Sequence, residues 1–253
     1  SWIMIKLKKI LFERMLGQQQ DDIQDNIHTI ANKFHETPKH RISSGYYGMT
    51  YLMQSGKVLK FTTDSNEAAL AARLSKRPSS PHLIGIYDVR SLILPRTFDQ
   101  HGIVNSQRLI WVIHMDEIIP LNDISKSAAN GYESLKYDFY GGGATDEYIK
   151  GRIDDLVTRD KITESDKQIL LKILSQRKSI LQDVRRFNIK WEEAHYRNIG
   201  FKKPGDQFVI YDLQSNKYHG LPKEYNMGAP IDLNEPITRY TTDGIDTPGD
   251  PDM

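Results

Sequence analysis

Between Trp191 and Gln214 the chain reads WEEAHYRNIGFKKPGDQFVIYDLQ, a stretch crowded with side chains able to do chemistry. Glu192, Glu193, His195, Arg197 and Asn198 stand almost side by side, followed by the apolar Ile199 and Phe201. Lys202-Lys203-Pro204-Gly205-Asp206 has turn chemistry, and Phe208-Val209-Ile210-Tyr211 has strand character ahead of Asp212. That order predicts a loop, a short strand, a tight turn and a second strand. Such a hairpin brings Asn198 and Asp212 to the same end of a small sheet. An amide oxygen and a carboxylate held together there suit a hard cation such as Mg²⁺, which takes oxygen ligands and is shared with phosphates. Glu193 adds a carboxylate placed to face a substrate hydroxyl.

Several elements must position these groups. Two stretches at helical spacing come first, with Ile5, Leu7, Ile10, Leu11 and Leu16 in one and Ile23, Ile27, Ile30 and Phe34 in the other. They read as accessory helices packed on the body of the protein rather than as membrane-surface helices. At Arg41 the period changes, and Ile42 to Met53 reads as strand, glycine turn, strand. Gln54-Ser55-Gly56-Lys57 is a hairpin turn and Val58 to Phe61 a third strand. Gly45 and Gly48 let backbone N–H groups approach phosphate oxygens with no Cβ in the way. Glu67 to Leu74 is rich in helix formers, and Leu83–Val89 and Leu109–Met115 read as fourth and fifth strands. Asn122 to Gly143 is polar and aromatic and reads as a mobile connection. Thr145 to Val157 is expected to be helical, and Thr163 to Phe187 is the longest apolar helical pattern, expected as the core helix of a larger lobe. Residues 236–253, rich in Pro and Asp, read as a loosely held tail.

In this order the segments resemble the protein-kinase-like superfamily, in particular phage-encoded Ser/Thr protein kinases. Glu193-Ala194-His195-Tyr196-Arg197-Asn198 resembles the D-x-H-x-x-N catalytic loop, with Glu193 where the family has Asp. Asp212 resembles the metal-binding Asp of the D-F-G segment. Ser43, Gly45 and Gly48 resemble the glycine-rich loop, with Ser43 for the first glycine. Val58-Leu59-Lys60 resembles the V-A-I-K strand whose Lys holds the α- and β-phosphates, and Glu67 resembles its helix partner. Asp116-Glu117-Ile118-Ile119-Pro120 resembles the hinge between lobes, and adenine is expected against the main chain near Met115, Asp116 and Glu117.

The resemblance implies an α+β, bilobal kinase-like fold. A small antiparallel lobe with one helix is expected over 40–117 and a mainly helical larger lobe over 118–235, preceded by the accessory segment 1–39 and followed by the tail 236–253. It implies ATP with Mg²⁺ (or Mn²⁺) as cofactors, with Glu193, His195 and Lys60 catalytic and Asn198 and Asp212 on the metal. It also implies γ-phosphate transfer to protein Ser/Thr hydroxyls. Two alternatives stay open, a catalytically weak or inactive pseudokinase serving as a binding module, and a small-molecule kinase.

Composition bounds the partners. The 253 residues carry 34 basic and 33 acidic side chains, a net charge of +1, which gives no electrostatic reason to expect nucleic acid or a membrane surface. A protein substrate or protein partner is expected instead. There is no cysteine, which rules out disulfides and thiolate metal sites and fits a reducing cytoplasm, the host's if the chain is phage-encoded. His114 reads as a packed residue, since no second His stands at metal-ligand spacing.

Overall fold

The computed structural model describes residues 19–44, 48–76, 80–96, 109–141, 143–187, 189, 194–196, 198–203, 207–211 and 227–234. Helix α1, described over 19–25, and α2 (Ile27–Asn32) lead into β1 (Pro38–Ser44), β2 (Gly48–Met53) and β3 (Lys57–Thr62). Helix α3 (Ser65–Ser75), β4 (Ile86–Ile93) and β5 (Leu109–Asp116) follow. The expected turn between β2 and β3 is present, with Gly56 at φ +80°, a conformation that costs any other residue a steric penalty. The strands form one sheet in the order β1-β2-β3-β5-β4-β9, antiparallel except for β9 (Ile231–Asp232), which runs parallel to β4.

Alternation along β3 explains why this sheet is covered on both faces. Leu59 and Phe61 join Met49, Tyr51, Met53 and Val112 in a core closed by Ile23, Ile27, Ile30, Ala31 and Phe34 of the N-terminal helices. Val58, one residue out of phase, belongs instead to the core shared with Ala68, Leu70, Val89 and Ile113, under α3. The second accessory stretch is therefore a lid on the sheet, while the first, residues 5–16, lies outside the described residues.

A second sheet, β6 (Ile118–Pro120), β7 (Ile199–Lys202) and β8 (Phe208–Ile210), is antiparallel throughout. Around it pack α4 (Leu121–Ile124), α5 (Lys126–Tyr140), α6 (Asp146–Thr158), α7 (Glu164–Ser175) and α8 (Arg177–Phe187). The architecture is α+β.

Four features differ from the sequence expectations. The stretch read as a mobile connection contains α5, whose Ala128, Ala129, Tyr132 and Leu135 are fully buried. The long helix from Thr163 to Phe187 is two helices, broken at Gln176. Strand β4 starts at Ile86, and Leu83 instead bridges Ile210 of the second sheet. Ile231–Asp232, for which no strand is expected from the sequence, pair with β4 of the first sheet as β9. The tail 236–253 lies outside the described residues. No helix among the described residues is long and apolar enough to cross a membrane.

Two helix starts share one carboxylate. Asp166 completes a capping box with Thr163 at the start of α7, accepting its N–H at 2.8 Å and its hydroxyl at 2.7 Å. It also accepts the hydroxyls of Ser125, the N-cap of α5, and of Ser127, the latter at 2.6 Å. Burial alone would raise its pKa, but the hydrogen bonds from Ser125, Ser127 and Thr163 outweigh it and hold the carboxyl at about 2. A folded pKa below the unfolded one stabilises above the unfolded value, and that stability is lost as pH falls through the folded value. Asp166→Asn should therefore lower unfolding stability at neutral pH by about 2 kcal/mol. It should also flatten the fall in stability between about pH 4 and pH 2. Urea unfolding at a series of pH values would check both, and parallel curves for the two proteins would contradict this role.

Candidate functional site

Lys60 sits in the middle of β3, opposite Thr50 on β2 and Ile113 on β5. Its ammonium pairs with the carboxylate of Glu67 on α3, and the two side chains are only 18% and 10% exposed. The start of α3 sets where Glu67 falls. Asp64 is the N-cap, its carboxylate accepting Asn66 N–H at 2.8 Å and Glu67 N–H at 3.3 Å, while its own N–H donates to Thr62 Oγ1 at 3.0 Å. The buried run Ala68 to Ala72 then holds the helix against the sheet. A strand lysine and a helix carboxylate are thus brought together.

Strand β2, beside β3, pairs antiparallel with β1. Ser43 pairs with Thr50, and Gly48 opens β2 opposite Thr62. Gly45 lies outside the described residues.

Met115 and Asp116 end β5, and Glu117 links it to β6. Their polar groups are engaged within the protein. Asp116 N–H donates to Gly85 C=O at 2.9 Å. Its carboxylate accepts the Tyr87 hydroxyl, Gly85 N–H at 3.2 Å and Lys202 Nζ at 2.5 Å. A Cβ on residue 85 would stand 2.3 Å from Asp116 Oδ2, so the glycine is what lets the carboxylate approach. Burial and then the bond to Asp116 push Tyr87 up to about 12, keeping it a proton donor. Glu117 pairs with Lys203 at 2.5 Å. Lys202 and Lys203, which reading the sequence treated only as turn residues, are thus tethers between the two sheets. Their spacing opposite Asp116-Glu117 was the available signal.

The hairpin forms as its sequence predicts, with Ile199 opposite Ile210. At its open end Tyr211 N–H donates to Asn198 C=O at 2.9 Å, and Asn198 N–H donates to His195 C=O at 2.9 Å. Asn198 is buried, and Asp212 is the residue after Tyr211. Glu193 and Asp212 themselves lie outside the described residues. Among the described residues no three His, Asp or Glu side chains gather as a metal site.

A seam joins this hairpin to the turn after α3. Ile210 N–H donates to His82 C=O at 3.0 Å, Ile84 N–H to Ile210 C=O at 3.3 Å, and His82 Nδ1 to Phe208 C=O at 2.8 Å. Asp183 of α8 accepts the Ser80 hydroxyl and His82 N–H. The glycine-containing stretch after α5 borders a cavity of about 550 Å³ lined by Tyr137, Asp138, Thr145 and Tyr148 among others. With a carboxylate and no cation in its described lining, it does not suit a phosphate.

No family model matches the chain, and no curated protein matches it. Among solved structures it is similar to an ADP-bound aminoglycoside phosphotransferase, at 12% identity over 76% of this chain and 72% of that one, with a TM-score of 0.30. A likeness at that level fixes neither the fold nor the activity of this chain.

The geometry at Asp116 sets an unequal pair of mutational effects. Asp116→Ala removes a buried acceptor from the Tyr87 hydroxyl, Gly85 N–H and Lys202 together, and should cost about 2–4 kcal/mol. Lys202→Met removes one cation that is 40% exposed, and should cost about 1 kcal/mol or less. Chemical denaturation of both variants checks this; equal losses would assign the stabilisation to the ion pair alone.

Proposed function

We propose that this chain is an ATP- and Mg²⁺-dependent phosphotransferase of bilobal, kinase-like design, with 40–117 as its small lobe, whose sheet β9 completes, and the rest of 118–235 as its larger one. The observation that carries this reading is the Lys60–Glu67 pair on an antiparallel sheet, seamed to the hairpin that holds Asn198. Phosphoryl transfer depends mainly on positioning and charge stabilisation, and each of these groups supplies one or the other.

In this reading Glu67 holds the ammonium of Lys60 toward the α- and β-phosphates, over which Ser43, Gly45 and Gly48 place main-chain N–H groups. Met115 to Glu117 border the adenine; Asp116 N–H is already given to Gly85, so other main-chain groups of this link would contact the base. Asn198 and Asp212 offer an amide oxygen and a carboxylate, a donor set that fits a hard cation. Buried Asn198, one hydrogen bond from Tyr211, is where such a set would assemble. Bound there, Mg²⁺ would neutralise charge on the phosphates. Glu193 orients the acceptor hydroxyl and takes its proton, with His195 in the same loop supporting it. The acceptor assigned is a protein Ser or Thr hydroxyl, with the cytoplasm as the compartment.

One departure favours a second reading. Glu193 stands where the resembled family has Asp, which suits a binding module that keeps nucleotide but transfers phosphate weakly or not at all. Incubation with γ-labelled ATP, Mg²⁺ or Mn²⁺ and a cell lysate separates the two. Glu193→Gln should lower transfer by roughly 10²–10⁴-fold with ATP affinity little changed, and Glu193→Asp should keep or raise it. Asp212→Ala should abolish the Mg²⁺-dependent part of thermal stabilisation by ATP. A wild type no more active than Lys60→Ala would establish the binding module, and a Glu193→Gln variant as fast as wild type would remove Glu193 from its role.

A further inference from the structure

Both flanks of His195 are tied to one helix by hydrogen bonds between the loop's main chain and helix side chains. The Tyr132 hydroxyl of α5 donates to Ala194 C=O at 2.9 Å, and the next residue of α5, Glu133, accepts Tyr196 N–H on Oε2 at 3.1 Å. A carbonyl can only accept, so Tyr132 spends its one proton on Ala194. The Tyr140 hydroxyl, 2.8 Å from that of Tyr132, must then be the donor in their pair. A directed chain results, from Tyr140 through Tyr132 to Ala194, in a fully buried setting where each bond is strengthened by its neighbour. Burial holds Tyr132 well above the ordinary tyrosine range, so its proton is not lost to pH. Glu133 is steadied in turn by Lys136, whose Nζ reaches Oε1 at 3.0 Å. Packing alone demands neither group: a phenylalanine fills the space of Tyr132, and Glu133 is 37% exposed at its side chain.

We propose that Tyr132 and Glu133 are positioning residues for the loop main chain at Ala194–Tyr196. Fixing the carbonyl before His195 and the amide after it sets the backbone through His195. It thereby fixes the main chain that Glu193 precedes and Asn198 follows in sequence. This inference rests on the phosphotransfer reading, in which those two residues meet the acceptor and the metal.

The test uses the full chain with Tyr132→Phe, Glu133→Ala and Glu133→Gln, and reads steady-state transfer, ATP affinity and hydrogen exchange at the Tyr196 and Asn198 amides. Tyr132→Phe should lower kcat by about 10–100-fold, the scale set by small misplacements of reacting groups. KM for ATP should move by less than about twofold, since nucleotide contacts made by Lys60 are untouched. Exchange at Asn198 should quicken. Glu133→Ala should do the same and also expose the Tyr196 amide. Glu133→Gln keeps an oxygen that accepts Tyr196 N–H and should restore most of both. Loss of thermal stability with unchanged kcat and unchanged exchange in Tyr132→Phe and Glu133→Ala would overturn the proposal. Should Tyr132→Phe fail to fold, the Ala and Gln variants at the more exposed Glu133 decide it alone. If wild type transfers no phosphate, the phosphotransfer reading fails. Amide exchange then decides the positioning role, which fails if Glu133→Ala and Glu133→Gln exchange alike at Tyr196.

Discussion

Two sheets that share no strand are held in register by main-chain hydrogen bonds between β8 and the segment Ser80–Gly85. Everything the candidate site needs depends on that seam. Lys60 and Glu67 belong to the first sheet and its helix, and Asn198 and Tyr211 to the hairpin of the second. Side-chain contacts between the two parts could slide with rotamer changes, but paired N–H and C=O groups fix distance and direction together. Ile210, which both donates and accepts across the seam, also pairs with Ile199. One residue thereby transmits the position of the turn after α3 to the residue following Asn198.

Charge reinforces the seam from the other side. The link from β5 to β6 is the one direct covalent passage from the first sheet to the second, and there Asp116 holds Lys202 at the end of β7 and Glu117 holds Lys203 just after it. These ion pairs differ in kind. Asp116 is buried with a hydroxyl and an amide as further partners, so the pair is one part of a satisfied network. Glu117 and Lys203 make a more open contact, with the lysine 47% exposed and screened accordingly. Asp116 is thus a structural group of the link first, whatever its main chain does for a ligand.

Local pattern made much of this legible. The period-2 run around Lys60, the turn at Gly56 and the helix from Glu67 are dictated by neighbours in sequence, and the hairpin from Ile199 to Ile210 likewise. Helix α5 was not legible as read, because Asn130 and Gly131 dilute its propensity. Its signal lay in Ser125 as a cap and in Ala128, Tyr132, Leu135 and Phe139 at helical spacing. The break at Gln176 leaves no mark in an apolar pattern that continues through it. Tyr132, Glu133 and Lys202 escaped notice for a different reason. Their roles are set by partners 60 to 90 residues away in the chain, roughly the reach of a tertiary contact that no local window contains.

The short strand β9 carries a consequence for how the chain is made. Its parallel pairing with β4 joins Leu92 to Ile231, so the first sheet is completed by residues that follow every helix among the described residues. During synthesis the open edge of β4 must wait, with unpaired N–H and C=O groups, until the helical segment has left the ribosome. The apolar residues that α2 covers, Leu92 and Ile110 among them, meet Ile231 last. Final closure of this sheet is therefore a late, long-range step in biogenesis, and a nascent chain halted before residue 231 would present a strand edge to any neighbour able to pair with it.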